Sequence, residues 1–214
     1  VLVRFLNLFR KRNWKEEVLL RLRLRESNMY KSYFREAKIK QIVKKETING
    51  VNITILMEDI SQDLVEGDLE KVKNDLIEAI SLIDKAKLKK AMNGLTVIID
   101  FRIKTAKHDV LRVGGLYEPK TDSINIYFNP FEKLPKSYTY NIIHEIGHRL
   151  EFEVLKSQKE WKEFFDTVGK EDFPTEYSKK NSYEFFAEVF AYYVTKKKLS
   201  KVVEAKFKEI TSLK

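Results

Sequence analysis

His144-Glu145-Ile146-Gly147-His148 contains two of the three histidines in this 214-residue chain. The residues before it are compatible with a helix, which predicts a helix that begins after Pro135 with Ser137 as its N-cap. On a helix, residues four positions apart lie on one face, with their side chains about 6 Å apart. His144 and His148 can therefore each offer a ring nitrogen to one metal ion.

Glu145 follows the first histidine by one position, so it would lie beside such a metal rather than on it. There a carboxylate can take a proton from an attacking water and later pass it to a leaving amine. His-Glu-x-x-His on a helix is the zinc metallopeptidase motif, so a zinc peptidase is the first hypothesis. The same pentapeptide also arises by chance on solvated helices, and a third ligand is needed to complete the site.

The third ligand must come from elsewhere in the chain. His108 lies in a polar stretch and is more simply an exposed loop side chain. Glu184 and Glu188 share one face of an aromatic-rich helical segment, residues 183–193, where two acids are costly unless something positive meets them. A solvated stripe on an amphipathic helix is the simpler alternative. We expect Glu184 to bind the metal and Glu188 to accept the N–H of a ligand histidine.

The chain resembles the anthrax lethal factor-like and Pro-Pro endopeptidase-like zinc metallopeptidases, which are gluzincins. The resemblance rests on residues 144–148, on Glu184-Phe185-Phe186-Ala187-Glu188, and on Tyr177 with Asn181 just before that run. It extends from about Gly114 to Lys198, which is under half of the chain. The two motifs in combination are far more specific than either one alone.

The resemblance implies a zincin-like metallopeptidase domain in which Zn2+ is bound by His144, His148 and Glu184. It implies that Glu145 is the general base and that Glu188 supports the metal ligands.

The resemblance also implies that Tyr177 is catalytic and donates its hydroxyl to the oxyanion of the tetrahedral intermediate. A neutral phenol is a hydrogen-bond donor at working pH, so the chemistry agrees. A loop tyrosine that only packs its ring is the simpler alternative. Arg149 departs from the relatives, which have a small residue after the second histidine. At the rim of the site, this arginine would alter substrate preference.

The order of predicted elements gives an α+β domain with a small mixed sheet before two helices that share the metal. Period-two alternation and turn residues predict strands at 50–59 and 96–103 and a hairpin of 111–117 with 123–128. Helical spacing predicts helices at 68–92, after 135, at 159–168, around Glu184 and from Ser200. Gly114 and Gly115 would let a substrate backbone approach the sheet edge, with an ordinary turn as the alternative.

Positive charge is concentrated in residues 1–45, which hold 14 Lys and Arg against 4 Asp and Glu, while the remainder is nearly neutral. We divide the chain into this basic N-terminal extension, with mostly helix over 14–45, and a peptidase domain, 46–214. The extension could lie on an anionic membrane surface, it could be the end of a spanning helix whose start is missing, or its apolar residues could pack on the domain. Nucleic acid is disfavoured, because no recognition motif accompanies the charge.

The absence of cysteine excludes a disulfide framework and a thiolate zinc site. The sequence shows neither a complete membrane-spanning run nor a signal peptide, which favours an intracellular or membrane-associated location. Two further functions stay open. One is a catalytically inactive zincin-fold module that docks through its basic arm on a membrane, nucleic acid or acidic protein. The other is a zinc hydrolase that acts on a non-peptide amide.

Overall fold

The computed structural model describes residues 41–58, 62–100, 114–127 and 136–212. His108 and residues 1–40 of the basic extension lie outside these ranges, so the predictions made for them stay predictions. Among the described residues the protein has five strands, which form one mixed sheet, and five α-helices. The α+β class predicted from the sequence is therefore confirmed.

The sheet begins with a tight hairpin. Strands β1, Gln41–Ile48, and β2, Val51–Glu58, pair in antiparallel fashion along their whole length. Asn49 and Gly50 connect them with φ angles of 50° and 83°. Two consecutive residues with positive φ form the turn whose twist matches that of the flanking strands, and Asn-Gly is its preferred sequence.

The other three strands complete the sheet in the order β1-β2-β3-β5-β4. They are β3, Thr96–Asp100, β4, Gly114–Glu118, and β5, Ser123–Tyr127. Strand β3 runs parallel to both β2 and β5, whereas β4 and β5 form the antiparallel hairpin that the sequence predicted. Among the described residues, β1 and β4 are therefore the two edge strands of the sheet.

The helices follow the predicted periodicity closely. They are α1, Gln62–Lys85, α2, Thr139–Arg149, α3, Gln158–Phe165, α4, Ser182–Val194, and α5, Lys201–Thr211. The prediction of one helix over 68–92 was too long, because α1 ends at Lys85 and a separate 3-10 turn covers Lys89–Met92. Ser200 caps α5 by accepting the backbone N–H of Val203.

The mostly helical prediction that ran to Lys45 is wrong for its last five residues, which are the first part of β1. Ile42, Glu46 and Ile48 share one face and are half-buried, although Lys44 on that face is exposed, while Val43, Lys45 and Thr47 on the other face are all exposed. This alternation is that of a strand with one covered face. Strand β1 also runs across residue 45, where the extension was expected to end.

A single hydrophobic core joins the sheet to the helices. Val51, Ile53 and Ile55 of β2 are 0–1% exposed, whereas the residues between them are half-buried or exposed, so the helices cover one face of the sheet. In the described part of the chain, no helix combines the length and the apolar character that crossing a bilayer requires.

Candidate metal centre

Helix α2 presents His144 and His148 from a firmly buried scaffold. Ile142, Ile143 and Ile146 on its opposite side are at most 2% exposed. The start of the helix is fixed by Asp75 of α1, whose carboxylate accepts the backbone N–H of Tyr138 at 2.8 Å. The predicted N-cap, Ser137, is wrong by one position, because Tyr138 is the N-cap and its side chain makes no capping hydrogen bond. The hydroxyl of Ser137 accepts the N–H of Thr139 at 3.1 Å.

Helix α4 supplies the carboxylates, and its first turn holds Glu184. Asn181 caps the helix with its side-chain oxygen, which accepts the backbone N–H of Glu184 at 2.9 Å. Gly147 lets α2 and α4 cross closely, because a Cβ placed on it would lie 3.0 Å from the Cα of Ala187. The absence of a side chain at this crossing brings the histidines of one helix to the carboxylates of the other.

His144, His148 and Glu184 offer ligand atoms that all lie within 4.8 Å of one another. Oε2 of Glu184 is 3.1 Å from Nε2 of His144 and 3.4 Å from Nε2 of His148. A tetrahedral zinc ion with bonds of about 2.0–2.1 Å separates its ligand atoms by about 3.3 Å. Two imidazoles and one carboxylate are also a donor set that catalytic zinc uses. The residues present therefore fit a zinc ion.

Glu188 lies on the other side of His144, where its carboxylate can orient the ring. Its Oε1 is 3.0 Å from Nδ1 of His144, while its Oε2 accepts the hydroxyl of Thr175 at 2.8 Å. A proton on Nδ1 would then be shared with Glu188, which leaves Nε2 with its lone pair toward Glu184 and His148. Thr175 was missed by the sequence reasoning, because no motif marks it.

Two carboxylates, Glu184 and Glu188, lie against His144, so a positive charge at this point would be stabilised. Burial of the His144 ring opposes protonation, but hydrogen bonds with Glu184 and Glu188 outweigh it and raise the pKa of His144 to about 9. Burial likewise opposes ionisation of Glu184, yet hydrogen bonds from the two histidines bring the pKa of Glu184 far below its ordinary value.

Tyr177 lies at the open side of the cluster, in the short 3-10 turn Tyr177–Lys179. Its hydroxyl donates to Oε1 of Glu184 at 3.0 Å, and its side chain is half exposed. Partial burial, together with the neighbouring Glu184, raises the pKa of Tyr177 to about 12. The phenol is therefore protonated and can donate a hydrogen bond at neutral pH.

Glu145 is held against the edge strand β4. Its Oε2 accepts the backbone N–H of Tyr117 at 2.8 Å. Gly115 lies beside it, and a Cβ built there would come within 2.6 Å of the Glu145 Cγ. Gly115 therefore makes room for Glu145, while Gly114 begins β4 and pairs with Tyr127 across the hairpin.

The prediction that Arg149 lies at the rim of the site is wrong. Its side chain is 5% exposed and is bound to Asp122. Tyr117 was also missed, since it reaches Glu145 through its backbone and no side-chain pattern marks such a contact.

Comparison with known family models and with curated proteins gives no match for this chain. The family resemblance stated above therefore rests on the residues alone.

Proposed function

We propose that this protein is a zinc metalloendopeptidase of the gluzincin type, with a zincin-like domain similar to those of the lethal factor-like and Pro-Pro endopeptidase-like peptidases. The observation that carries the proposal is the convergence of His144, His148 and Glu184 from two separate helices. The sequence motif supplies two of these groups, and the third comes from 36 positions later in the chain. Chance placement on a solvated helix does not account for that convergence.

Zinc bound to these three residues would polarise the scissile carbonyl and lower the pKa of water at the site. Glu145 is the proton acceptor. Among the described residues its carboxylate has one donor, the N–H of Tyr117 at Oε2, so Oε1 can accept a proton from water and return it to the leaving amine.

Tyr177 stabilises negative charge that develops on the carbonyl oxygen. Its phenol keeps its proton at working pH, and its half-exposed position leaves it accessible to a substrate. Turning the hydroxyl from Glu184 toward a developing oxyanion would add a hydrogen bond in the transition state that the ground state lacks.

The edge strand β4 is the proposed platform for an extended substrate. The N–H of Tyr117 points away from β5 to reach Glu145, and backbone direction alternates along a strand. Gly115 lies two residues before Tyr117 on the same strand, so its backbone N–H and C=O groups also point toward the open edge. A peptide would pair with Gly115, because the N–H of Tyr117 is already engaged.

The decisive experiment compares Glu145→Ala with the wild-type protein on a diverse peptide library, with zinc present and with zinc chelated. We expect the variant to retain zinc by elemental analysis but to lose hydrolysis by several orders of magnitude, because proton transfer loses its acceptor. Glu163→Ala, at an exposed glutamate on α3, is the matched control and should cleave normally.

Glu184→Ala should instead lower zinc occupancy, since it removes one of the three ligands. Hydrolysis that survives in Glu145→Ala, or full zinc occupancy in Glu184→Ala, would reject the proposal. Zinc binding without cleavage of any peptide by the wild-type protein would favour the inactive binding module instead.

A further inference from the structure

Arg149 ends helix α2 and carries four hydrogen bonds on an almost fully buried side chain. Its Nε and one terminal nitrogen bind the two oxygens of Asp122, both at 2.7 Å. The guanidinium also donates to the backbone carbonyls of Ala91 at 2.7 Å and Asn93 at 2.9 Å. This two-pronged geometry is the strongest form of arginine–carboxylate pairing.

Asp122 lies in the turn between β4 and β5, so the ion pair joins the edge hairpin to the helix of the metal cluster. Asp122 also accepts the phenol of Tyr117 at 3.2 Å. The phenol adds to the bonds from Arg149, and the pKa of Asp122 lies below its usual range because hydrogen bonding to Arg149 outweighs partial burial. The carboxylate is therefore charged at neutral pH.

These contacts form a closed ring of interactions among four residues, Tyr117, Asp122, Arg149 and Glu145. Tyr117 binds Asp122 through its phenol and Glu145 through its backbone N–H. Arg149 binds Asp122 and follows Glu145 by one helical turn. Strand β4 has β5 as its one strand neighbour among the described residues. The ring therefore adds a polar connection between this edge and α2, beside the packing of Tyr117 in the hydrophobic core.

The fit between strand and carboxylate leaves little room for movement. Glu145 passes so close to Gly115 that a single added methyl group would overlap it. A shift of the hairpin would therefore lengthen the bond from Tyr117 to Glu145 or change the rotamer of Glu145.

We propose that Asp122 and Arg149 are positioning residues that hold β4 against α2, so that the N–H of Tyr117 fixes the carboxylate of Glu145 beside the metal cluster. The consequence for catalysis rests on the proposed peptidase function. The positioning of Glu145 does not depend on that function, and it can be measured without any substrate.

The first test is amide hydrogen exchange at Tyr117 in the zinc-loaded full chain, followed by NMR. Asp122→Gly removes the carboxylate, and glycine accepts the φ of 44° at this position without strain. We expect protection of the Tyr117 amide to fall about tenfold or more, and to fall similarly in Glu145→Ala, which lacks the acceptor. Asp122→Asn keeps an acceptor and should restore part of the protection.

The matched control is Glu160→Gln, which breaks the ion pair between Lys206 and Glu160, at 2.6 Å, far along the chain. It should leave Tyr117 protection unchanged. If Asp122→Gly does not fold, Tyr117→Phe removes the phenol alone and should still lower protection of the amide at position 117 below that of the wild-type protein.

The second test is steady-state kinetics on a cleaved peptide. Asp122→Gly should lower kcat about 10- to 100-fold with KM within about twofold and unchanged zinc content, and Asp122→Asn should recover part of kcat. Unchanged Tyr117 protection in the folded Asp122 variants would overturn the proposal. So would a lower melting temperature with normal kcat. If even the wild-type protein cleaves nothing, the proposed function fails, while the exchange measurement still decides the positioning.

Discussion

Each ring nitrogen of His144 faces a carboxylate, and the two carboxylates have different tasks. Glu184 shares the side where a metal would bind, whereas Glu188 holds the far nitrogen and is itself held by Thr175. The charge of Glu188 makes the histidine a stronger ligand by favouring a proton on Nδ1.

We therefore expect Glu188→Gln to weaken zinc binding about 10- to 100-fold, because the substitution removes this charge while keeping the shape of the side chain. Thr175→Val should have a smaller effect in the same direction. Thr195→Val, near the end of the same helix, is the control, since within the described ranges its hydroxyl bonds only to backbone carbonyls of α4. Competition with a chromophoric chelator measures the affinity, and equal affinities for Glu188→Gln and wild type would contradict the assignment.

Glu151 is a buried acid outside the metal cluster. Its side chain is 0% exposed, and neither carboxylate oxygen has a hydrogen-bond partner among the described residues. Burial raises the pKa of Glu151 from 4.5 to about 8, so the folded protein holds a neutral acid at physiological pH. Because the pKa is higher in the folded state, the contribution of Glu151 to stability is full below about pH 4.5 and is lost as the pH rises through about 8.

Glu151→Gln should remove this pH dependence, so its stability advantage over the wild-type protein should be larger at pH 9 than at pH 6, by on the order of 2 kcal/mol. Urea unfolding at both pH values measures the difference. Glu153→Gln, at an exposed position in the same segment, should follow the wild-type curve. A wild-type free energy of unfolding that changes with pH just as it does in Glu151→Gln would show that Glu151 is not buried as a neutral acid.

At the scale of elements, the crossing of α2 and α4 determines whether the site can exist. Gly147 lies where the helices touch, and a Cβ there would be 3.0 Å from Ala187 Cα and 3.1 Å from the ring of Phe190. Gly147→Ala should push the helices apart and lower stability by about 1–2 kcal/mol, despite the better helix propensity of alanine. The shift should also weaken zinc binding, because it separates His148 from Glu184.

Gly67→Ala is the matched control for this helix crossing. Gly67 lies in α1 with no atom within 4 Å of an added Cβ, so alanine should stabilise the protein by about 0.4–1 kcal/mol. Thermal unfolding and zinc titration of both variants provide the measurement. Equal effects of the two substitutions on stability would mean that the helices do not cross at Gly147.

The sequence predicted those elements whose signals are local. The hairpin of β4 and β5 follows from alternating apolar residues around a turn, and α1 follows from buried residues three and four positions apart. The first five residues of β1, 41–45, were predicted as helix because they end a long stretch of good helix formers, among them Lys44 and Lys45. Asn49-Gly50 was the signal that could have corrected this reading, since it is the preferred sequence of a two-residue hairpin turn.

For the candidate site, the sequence identified residues that belong to motifs and missed those that act across the fold. Two histidines one helical turn apart must face the same way, so their convergence needs no tertiary information. The burial of Arg149 depends on carbonyl groups of Ala91 and Asn93, more than 50 positions away, and this could not be read from its neighbours. Tyr117 contributes a backbone N–H, which leaves no trace in residue identity.

At the scale of the whole molecule, the excess positive charge is concentrated in one part of the chain. Residues 1–45 carry a net charge of +10, and the remainder carries −1. A block of this kind is attracted to anionic lipid at about 1 kcal/mol for each basic residue near the surface. We therefore expect the 214-residue chain to bind vesicles that contain phosphatidylserine, and not vesicles of phosphatidylcholine alone, with release as salt is raised toward about 0.5 M.

Replacing Arg21, Arg23 and Arg25 by Gln should weaken vesicle binding about 100-fold, which corresponds to roughly 3 kcal/mol for three charges. Replacing Lys196, Lys197 and Lys198 by Gln removes the same charge from outside the extension and should have little effect. Chelation of zinc should change neither result, since the attraction does not involve the metal cluster. Equal loss of binding in both triple variants would assign the attraction to overall charge rather than to the extension, and absence of binding to any vesicle would favour packing of the extension on the domain.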